Sequence, residues 1–228
     1  MKIVLAANND AGCETLEYLL NTKNDIVGVL TKDTKKEPFK FLYDYVKEKG
    51  IPILTYSQVE NIKPDILYSV YYHKRLTTNV INSARIALNF HGALLPDYKG
   101  CNSNIWTILN NEKESACTAH YLTENFDEGD IVGYERYKID DDETGKSLYY
   151  KHTEHTGKLF RRIHEQIKRG EPLKMITKNA GGKYYNKTLP NNGIIDPSWS
   201  PQYIERFIRA FTFSPLPGAK DINGVEYK

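Results

Sequence analysis

Cysteine is scarce in this chain. Its 228 residues include only Cys13, Cys101 and Cys117, scattered so that they form neither a disulfide framework nor a metal-ligand spacing. Such usage suits a reducing compartment, and a cytoplasmic location is expected. No run of 18 apolar residues occurs, so no membrane-spanning helix and no membrane insertion are expected. The apolar opening Met1–Ala7 runs at once into Asn8, Asn9 and Asp10, too short for a secretory signal. Neither sign of charge dominates: 31 Lys and Arg face 29 Asp and Glu. A nucleic-acid partner is therefore not expected, because its binding surface usually shows as basic excess. Gly-x-Gly-x-x-Gly is missing, which argues against a dinucleotide cofactor. Internal repeats and low-complexity stretches are absent too.

Tyrosine, by contrast, is abundant, with 17 copies. Most suit half-buried positions, where the ring is covered and the hydroxyl finds a partner. Tyr184 and Tyr185 are candidates to line a ligand pocket instead.

Hydrophobic periodicity divides the chain into alternating strands and helices. Strands are predicted at residues 2–7, 25–31, 51–54, 64–71, 85–90, 116–122 and 131–139. Helices are predicted at 14–21, 37–49, 77–84, 102–111 and 144–169, with residues 8–12 as a turn. The spacing implies βαβ units and a Rossmann-like, mostly parallel sheet flanked by helices, an α/β fold. After Gly170-Glu171-Pro172 the texture changes to short strand-like pieces and turns. A helix then starts at Ser200-Pro201, a cap followed by proline, and runs to about Phe213. We read residues 1–170 as a catalytic core and 171–228 as a small C-terminal α+β appendage packed on it. A chain of this size hides roughly 70% of its unfolded surface, enough for a substantial core.

The richest segment is Asn89-Phe-His91-Gly-Ala-Leu-Leu-Pro-Asp-Tyr-Lys99-Gly100, entered from the apolar Ile86-Ala87-Leu88. Asp127 follows 36 positions after His91, inside Asp-Glu-Gly-Asp. Asn89, His91 and Asp127 together supply an amide, an imidazole and a carboxylate, a set suited to acyl transfer. Taken singly, each is unremarkable: a satisfied loop histidine, or a turn aspartate. His120 either faces the same pocket or serves structure. His73, His152, His155 and His164 are expected at surface or helix positions. No spacing offers a metal site.

Asn-x-His-x-x-Leu-Leu-Pro-x-x-x-Gly, with a downstream Asp-x-Gly loop, resembles the signature of the folate-dependent formyltransferases. Ala93 stands where that family usually has serine, which leaves the loop one hydroxyl short. The resemblance implies transfer of a formyl group from N10-formyltetrahydrofolate to an amine, with Asn89, His91 and Asp127 as the catalytic three. It also implies folate contacts from Lys74, Leu76 and Asp127, in loops matching Tyr71–Leu76 and Thr123–Asp127. Lys74 or Arg75 then becomes a partner for the folate tail carboxylates.

Among family members, the sugar-nucleotide N-formyltransferases are most similar. Asp10, Gly12 and Cys13 match their Asp-x-Gly-Cys, and Tyr184-Tyr185-Asn186-Lys187 and Phe207–Phe211 resemble their C-terminal part. This implies an amino-sugar nucleotide as acceptor, bound by Asn9, Gly12, Lys99, Tyr184, Asn186 and Lys187, and a product destined for surface polysaccharide such as lipopolysaccharide. A homodimer through the C-terminal region is a further expectation. The alternatives are a glycinamide ribonucleotide formyltransferase, a formyltetrahydrofolate hydrolase, and a non-catalytic folate- or sugar-nucleotide-binding protein. The length leaves no room for the extra barrel-like domain of about 100 residues that the methionyl-tRNA enzyme carries.

Overall fold

The computed structural model describes residues 1–33 and 39–227. Among them the central sheet has six strands: β1 (Lys2–Ala7), β2 (Asp25–Leu30), β3 (Ile66–Val70), β4 (Ile86–His91), β6 (Glu114–Tyr121) and β7 (Ile131–Lys138), in the order β2-β1-β3-β4-β6-β7. The first four run parallel, and β6 and β7 are antiparallel additions. Strand β5 (Lys99–Gly100) lies outside this sheet and pairs with β8 (Tyr184–Tyr185); β9 (Ala219–Lys220) pairs with β10 (Glu226–Tyr227).

Strand alternation assigns the two faces of the sheet. Ile3, Leu5 and Ala7 of β1 join Leu16 and Leu19 of α1 (Asn9–Asn21) and Leu159, Phe160 and Ile163 of α6 (Gly145–Lys168) in one core. Val4 and Ala6 point the other way. They join Val59 of α3 (Tyr56–Ile62) and Val80 and Ile81 of α4 (Thr78–Ser83). A third cluster packs α5 (Ser103–Leu109) and α7 (Pro201–Phe211) against Leu148, Ile195 and Ala219. Buried Phe207 and Phe211 therefore tie the C-terminal segment to the core. No helix among the described residues is long and apolar enough to cross a membrane.

Four local expectations need correction. Residues 8–12 are not a turn. Asn9, at φ 57, bends the chain and opens helix α1. Gly12 sits inside that helix, where an added Cβ would lie 2.9 Å from both Ala7 and Leu42. Residues 51–54 form only a bridge, Ile53 to Val29; Pro52 has no N–H to extend a ladder, and its carbonyl accepts from Val29. Helix α3 was not expected. It is seven residues long with one buried side chain, Val59, so no apolar period is visible, and a Thr55–Gln58 capping box starts it. Finally, α2 (Leu42–Glu48) is shorter than the predicted 37–49; residues 37 and 38 of that prediction lie outside the described residues.

Candidate active site

Asn89 and His91 lie within β4, not beyond its end. Leu88 and Phe90 alternate with them and enter the α6-side core, so the amide and the imidazole share the opposite face. On neighbouring β6, His120 pairs with Asn89 and Thr118 with His91. The loop between β6 and β7 then returns Asp127 to this face. Asp127 has φ 54, in the left-handed region. Gly129 makes the return possible, because any Cβ there would strike the Tyr121 carbonyl.

The three groups named from sequence converge. Asn89 Nδ2 donates to Asp127 Oδ1 at 3.3 Å, and His91 Nδ1 lies 3.5 Å from the same oxygen. The other carboxylate oxygen accepts the Gly100 N–H at 2.8 Å. Burial alone would raise the Asp127 pKa. His91 chiefly, and the Gly100 N–H with it, outweigh burial and hold it low, at about 2, so the carboxylate is ionised.

Hydrogen-bond partners fix the ring states. His91 Nε2 is 2.7 Å from the Tyr98 carbonyl and must donate to it. Its Nδ1 edge, with only the long contact to Asp127, is the one able to meet a substrate oxygen or a water. His120 Nδ1 donates to the Tyr121 carbonyl at 2.8 Å, so neutral His120 offers an Nε2 lone pair to Asn89 Nδ2 at 2.9 Å. Both Asn89 amide hydrogens thus have acceptors. The longer bond, to Asp127, is the one that a developing oxyanion can replace.

The loop after His91 is held without the serine hydroxyl missing at Ala93. Thr118 Oγ1 donates to the Ala93 carbonyl at 2.6 Å and accepts from Leu95 N at 3.2 Å. Ser103 Oγ donates to the Gly92 carbonyl at 3.2 Å.

The remaining sequence-named residues are placed unevenly. Lys74 is exposed, while Leu76 is buried in the second core. Next to Leu76, a cavity of about 480 Å³ is lined by Arg75, Thr77, Thr78, Asn79 and Glu124. Arg75 Nε bridges its two loops by donating to the Glu124 carbonyl at 2.7 Å. Asn9 is half-buried at the start of α1, and Gly12 is buried in packing. Lys99 turns inward, with Nζ 3.5 Å from the Asn179 carbonyl, instead of presenting an open cation. Tyr184 is 54% exposed and its ring lies against Gly100. The Asn186 side chain accepts from Thr188 N at 2.8 Å, and Lys187 is exposed beside Cys101. His152 and His164, expected at surface or helix positions, are on helix α6 but buried. Sequence reasoning missed Gly100, Tyr98 and Asn179, which act through main-chain bonds or from a distant segment. His120 had one usable signal, its same-face alternation with Thr118. Among the described residues, no group of three or more His, Cys, Asp or Glu side chains is placed to hold a metal ion.

An open α/β sheet carrying an amide, an imidazole and an ionised carboxylate together on one face defines a site of the acyl-transfer type. Residues 3–163 match the family model described as formyl transferase, and the chain belongs to that family. It is 34% identical over 160 residues to a GDP-perosamine N-formyltransferase of Brucella melitensis, a match covering 70% of this chain and 61% of that protein. It is 29% identical over 233 residues to the bifunctional polymyxin resistance protein ArnA of Wigglesworthia glossinidia brevipalpis, covering 96% of this chain and 36% of that protein. The chain therefore spans only part of each curated relative's length. Among solved structures, an N-formyltransferase from Helicobacter canadensis, in complex with folinic acid and dTDP-3-aminofucose, superposes with a TM-score of 0.82 at 25% identity. That alignment covers 93% of this chain and 81% of the other.

Proposed function

We propose that this protein transfers a formyl group from N10-formyltetrahydrofolate to the amine of an amino-sugar nucleotide. The observation that carries this reading is the convergence of Asn89, His91 and Asp127 on one buried face, in a chain of the formyl transferase family. The named relatives support the acceptor class: one is a GDP-perosamine N-formyltransferase, and the Helicobacter structure holds a folate and an aminofucose nucleotide.

Each residue has a distinct task. Asn89 releases its long bond to Asp127 and donates to the oxygen of the formyl group as negative charge builds there. A preorganised donor of this kind is typically worth on the order of 10²–10³ in rate. His91, when protonated at Nδ1 with its Nε2–H still on the Tyr98 carbonyl, donates to the same oxygen. Asp127, ionised, accepts the proton of the attacking amine, directly or through a water, and that proton passes to the folate nitrogen as its bond to the formyl carbon breaks, releasing tetrahydrofolate. The cavity beside Leu76 and Arg75 lies between the two loops expected to hold the folate ring, and its size falls in the range of small-molecule sites. Tyr184 and Lys187, exposed near Gly100 and Cys101, are proposed as contacts for the acceptor. We further propose that residues 1–170 form the core and 171–228 an appendage, that the enzyme works in the cytoplasm, and that exposed Ile222, Val225 and Tyr227 contribute to a homodimer contact.

The test is tetrahydrofolate release from N10-formyltetrahydrofolate with a panel of uridine-, thymidine- and guanosine-diphosphate amino sugars, with glycinamide ribonucleotide and with no acceptor. Turnover with an amino sugar alone is expected. Turnover without any amine would make the protein a hydrolase, and turnover only with glycinamide ribonucleotide would move it to that branch.

A further inference from the structure

Residues 176–185 lie outside the segment matched by the family model. They are nevertheless stitched to both loops of the site. Ile176 N donates to the Ile131 carbonyl at 2.7 Å, and Ile131 N to the Thr177 carbonyl at 3.1 Å, just after the Asp127 loop. Lys99 N donates to the Lys183 carbonyl at 3.0 Å, and Cys101 N to the Tyr185 carbonyl at 2.8 Å, just after the His91 loop. Gly182, at φ +77, passes so close to Pro96 that a Cβ would collide with the Pro96 carbonyl.

Between these anchors lies Asn179, 6% exposed, whose Nδ2 donates to the main-chain carbonyl of Asp127 at 2.7 Å. The amide orientation follows from this partner, because a flipped amide would set Oδ1 against the carbonyl oxygen. We infer that Asn179 is a positioning residue for Asp127, an inference that rests on the function proposed above. Asp127 sits in the left-handed region, less favoured by an L residue than by glycine, so fixing its peptide plane from outside helps hold it there. Asn179 fixes the carbonyl, and the Gly100 N–H fixes Oδ2 at 2.8 Å. The aspartate is thereby held at its main-chain carbonyl and at one carboxylate oxygen, with Oδ1 left toward Asn89 and His91. Lys99 Nζ, 3.5 Å from the Asn179 carbonyl, backs the arrangement from behind. The segment beyond the long helix thus completes the site rather than merely covering it.

Asn179→Asp preserves shape and replaces the donor with an acceptor; Asn179→Ala removes the side chain. For both, kcat is expected to fall about 10–100-fold, the scale of a small misplacement of a reacting group. KM for both substrates should stay within about threefold, and Gly100 amide hydrogen exchange should accelerate at least about tenfold, because its acceptor is no longer held. If Asn179→Asp fails to fold, the alanine variant decides. A kcat within about twofold of wild type, a change confined to KM, or unaltered Gly100 exchange each overturns the inference, with thresholds set against ordinary additivity error. If the wild-type protein itself shows no turnover, the functional reading fails, and Gly100 exchange alone decides the role of Asn179.

Discussion

Asn89 and His120 face each other across β4 and β6, joined by a 2.9 Å contact from Asn89 Nδ2 to His120 Nε2. The pair sets which way the Asn89 amide points. With the Tyr121 carbonyl fixing the other ring nitrogen, His120 can only accept from Asn89 while neutral. His120→Ala should free the amide to rotate and lower kcat by about 10-fold or more, within the range of a lost oxyanion donor. It should also cost about 1–3 kcal/mol of stability by orphaning buried polar groups. Steady-state kinetics and urea unfolding would read the two effects separately.

Asp127 is the second case. Asp127→Asn keeps an acceptor for the Gly100 N–H and removes the charge facing His91. A fall in turnover of at least about 10² is expected, on the scale of positioned proton transfer. Near-native turnover in this variant would remove Asp127 from the mechanism. Its folded pKa, about 2, lies below that of an unfolded aspartate. The stability it contributes is therefore full above about pH 4 and is lost as pH falls toward 2. Asp127→Asn should flatten that part of an acid-unfolding curve.

Gly129 gives a purely steric test. Gly129→Ala would push a Cβ into the Tyr121 carbonyl and displace the Asp127 loop. The expected result is loss of most turnover with a melting temperature lowered by several degrees, from about 1–3 kcal/mol of overpacking. Gly170→Ala is the control. Nothing lies within 4 Å of a Cβ at Gly170, so only the strain of its φ of +72° remains and turnover should persist.

These cases also explain what was legible in the sequence. The apolar run Ile86–Leu88 and its alternation with Asn89 and His91 fixed both the strand and the face, and the long α6 showed a clear helical period. Asp127 was legible only through its distance from His91. Gly100, Tyr98 and Asn179 contribute backbone groups or reach the site from far along the chain, and such contacts leave no local pattern. The Asn179 contact at Asp127 depends on the path of residues 176–185, which no periodicity encodes. Helix α3 stayed hidden for a different reason: seven residues with one buried side chain cannot display a repeat.

Two buried histidines on α6 carry the final prediction. His164 Nε2 donates to Asn24 Oδ1 at 3.0 Å, and its Nδ1 accepts from the Tyr68 hydroxyl at 2.9 Å, a pattern that needs the neutral ring. Burial pushes its pKa down to about 4. Burial likewise pushes His152, whose Nε2 has no hydrogen-bond partner among the described residues, down to about 3. Above pH 6.5 neither ring is charged in the folded or the unfolded chain, and stability is full. As pH falls below 6.5, the unfolded chain takes up protons that the folded chain refuses, and each ring costs about 1.4 kcal/mol per pH unit until its folded pKa is reached. Urea midpoints should therefore drop steeply between pH 6.5 and 4.5, well above the range in which Asp127 titrates. His164→Gln should reduce that slope measurably, whatever its effect on stability at pH 7, because one buried ring no longer titrates there while His152 and the partly buried His155, also pushed down by burial, remain. An unchanged slope in this variant would show that His164 is not held neutral, and would contradict the Tyr68–His164–Asn24 hydrogen-bond chain.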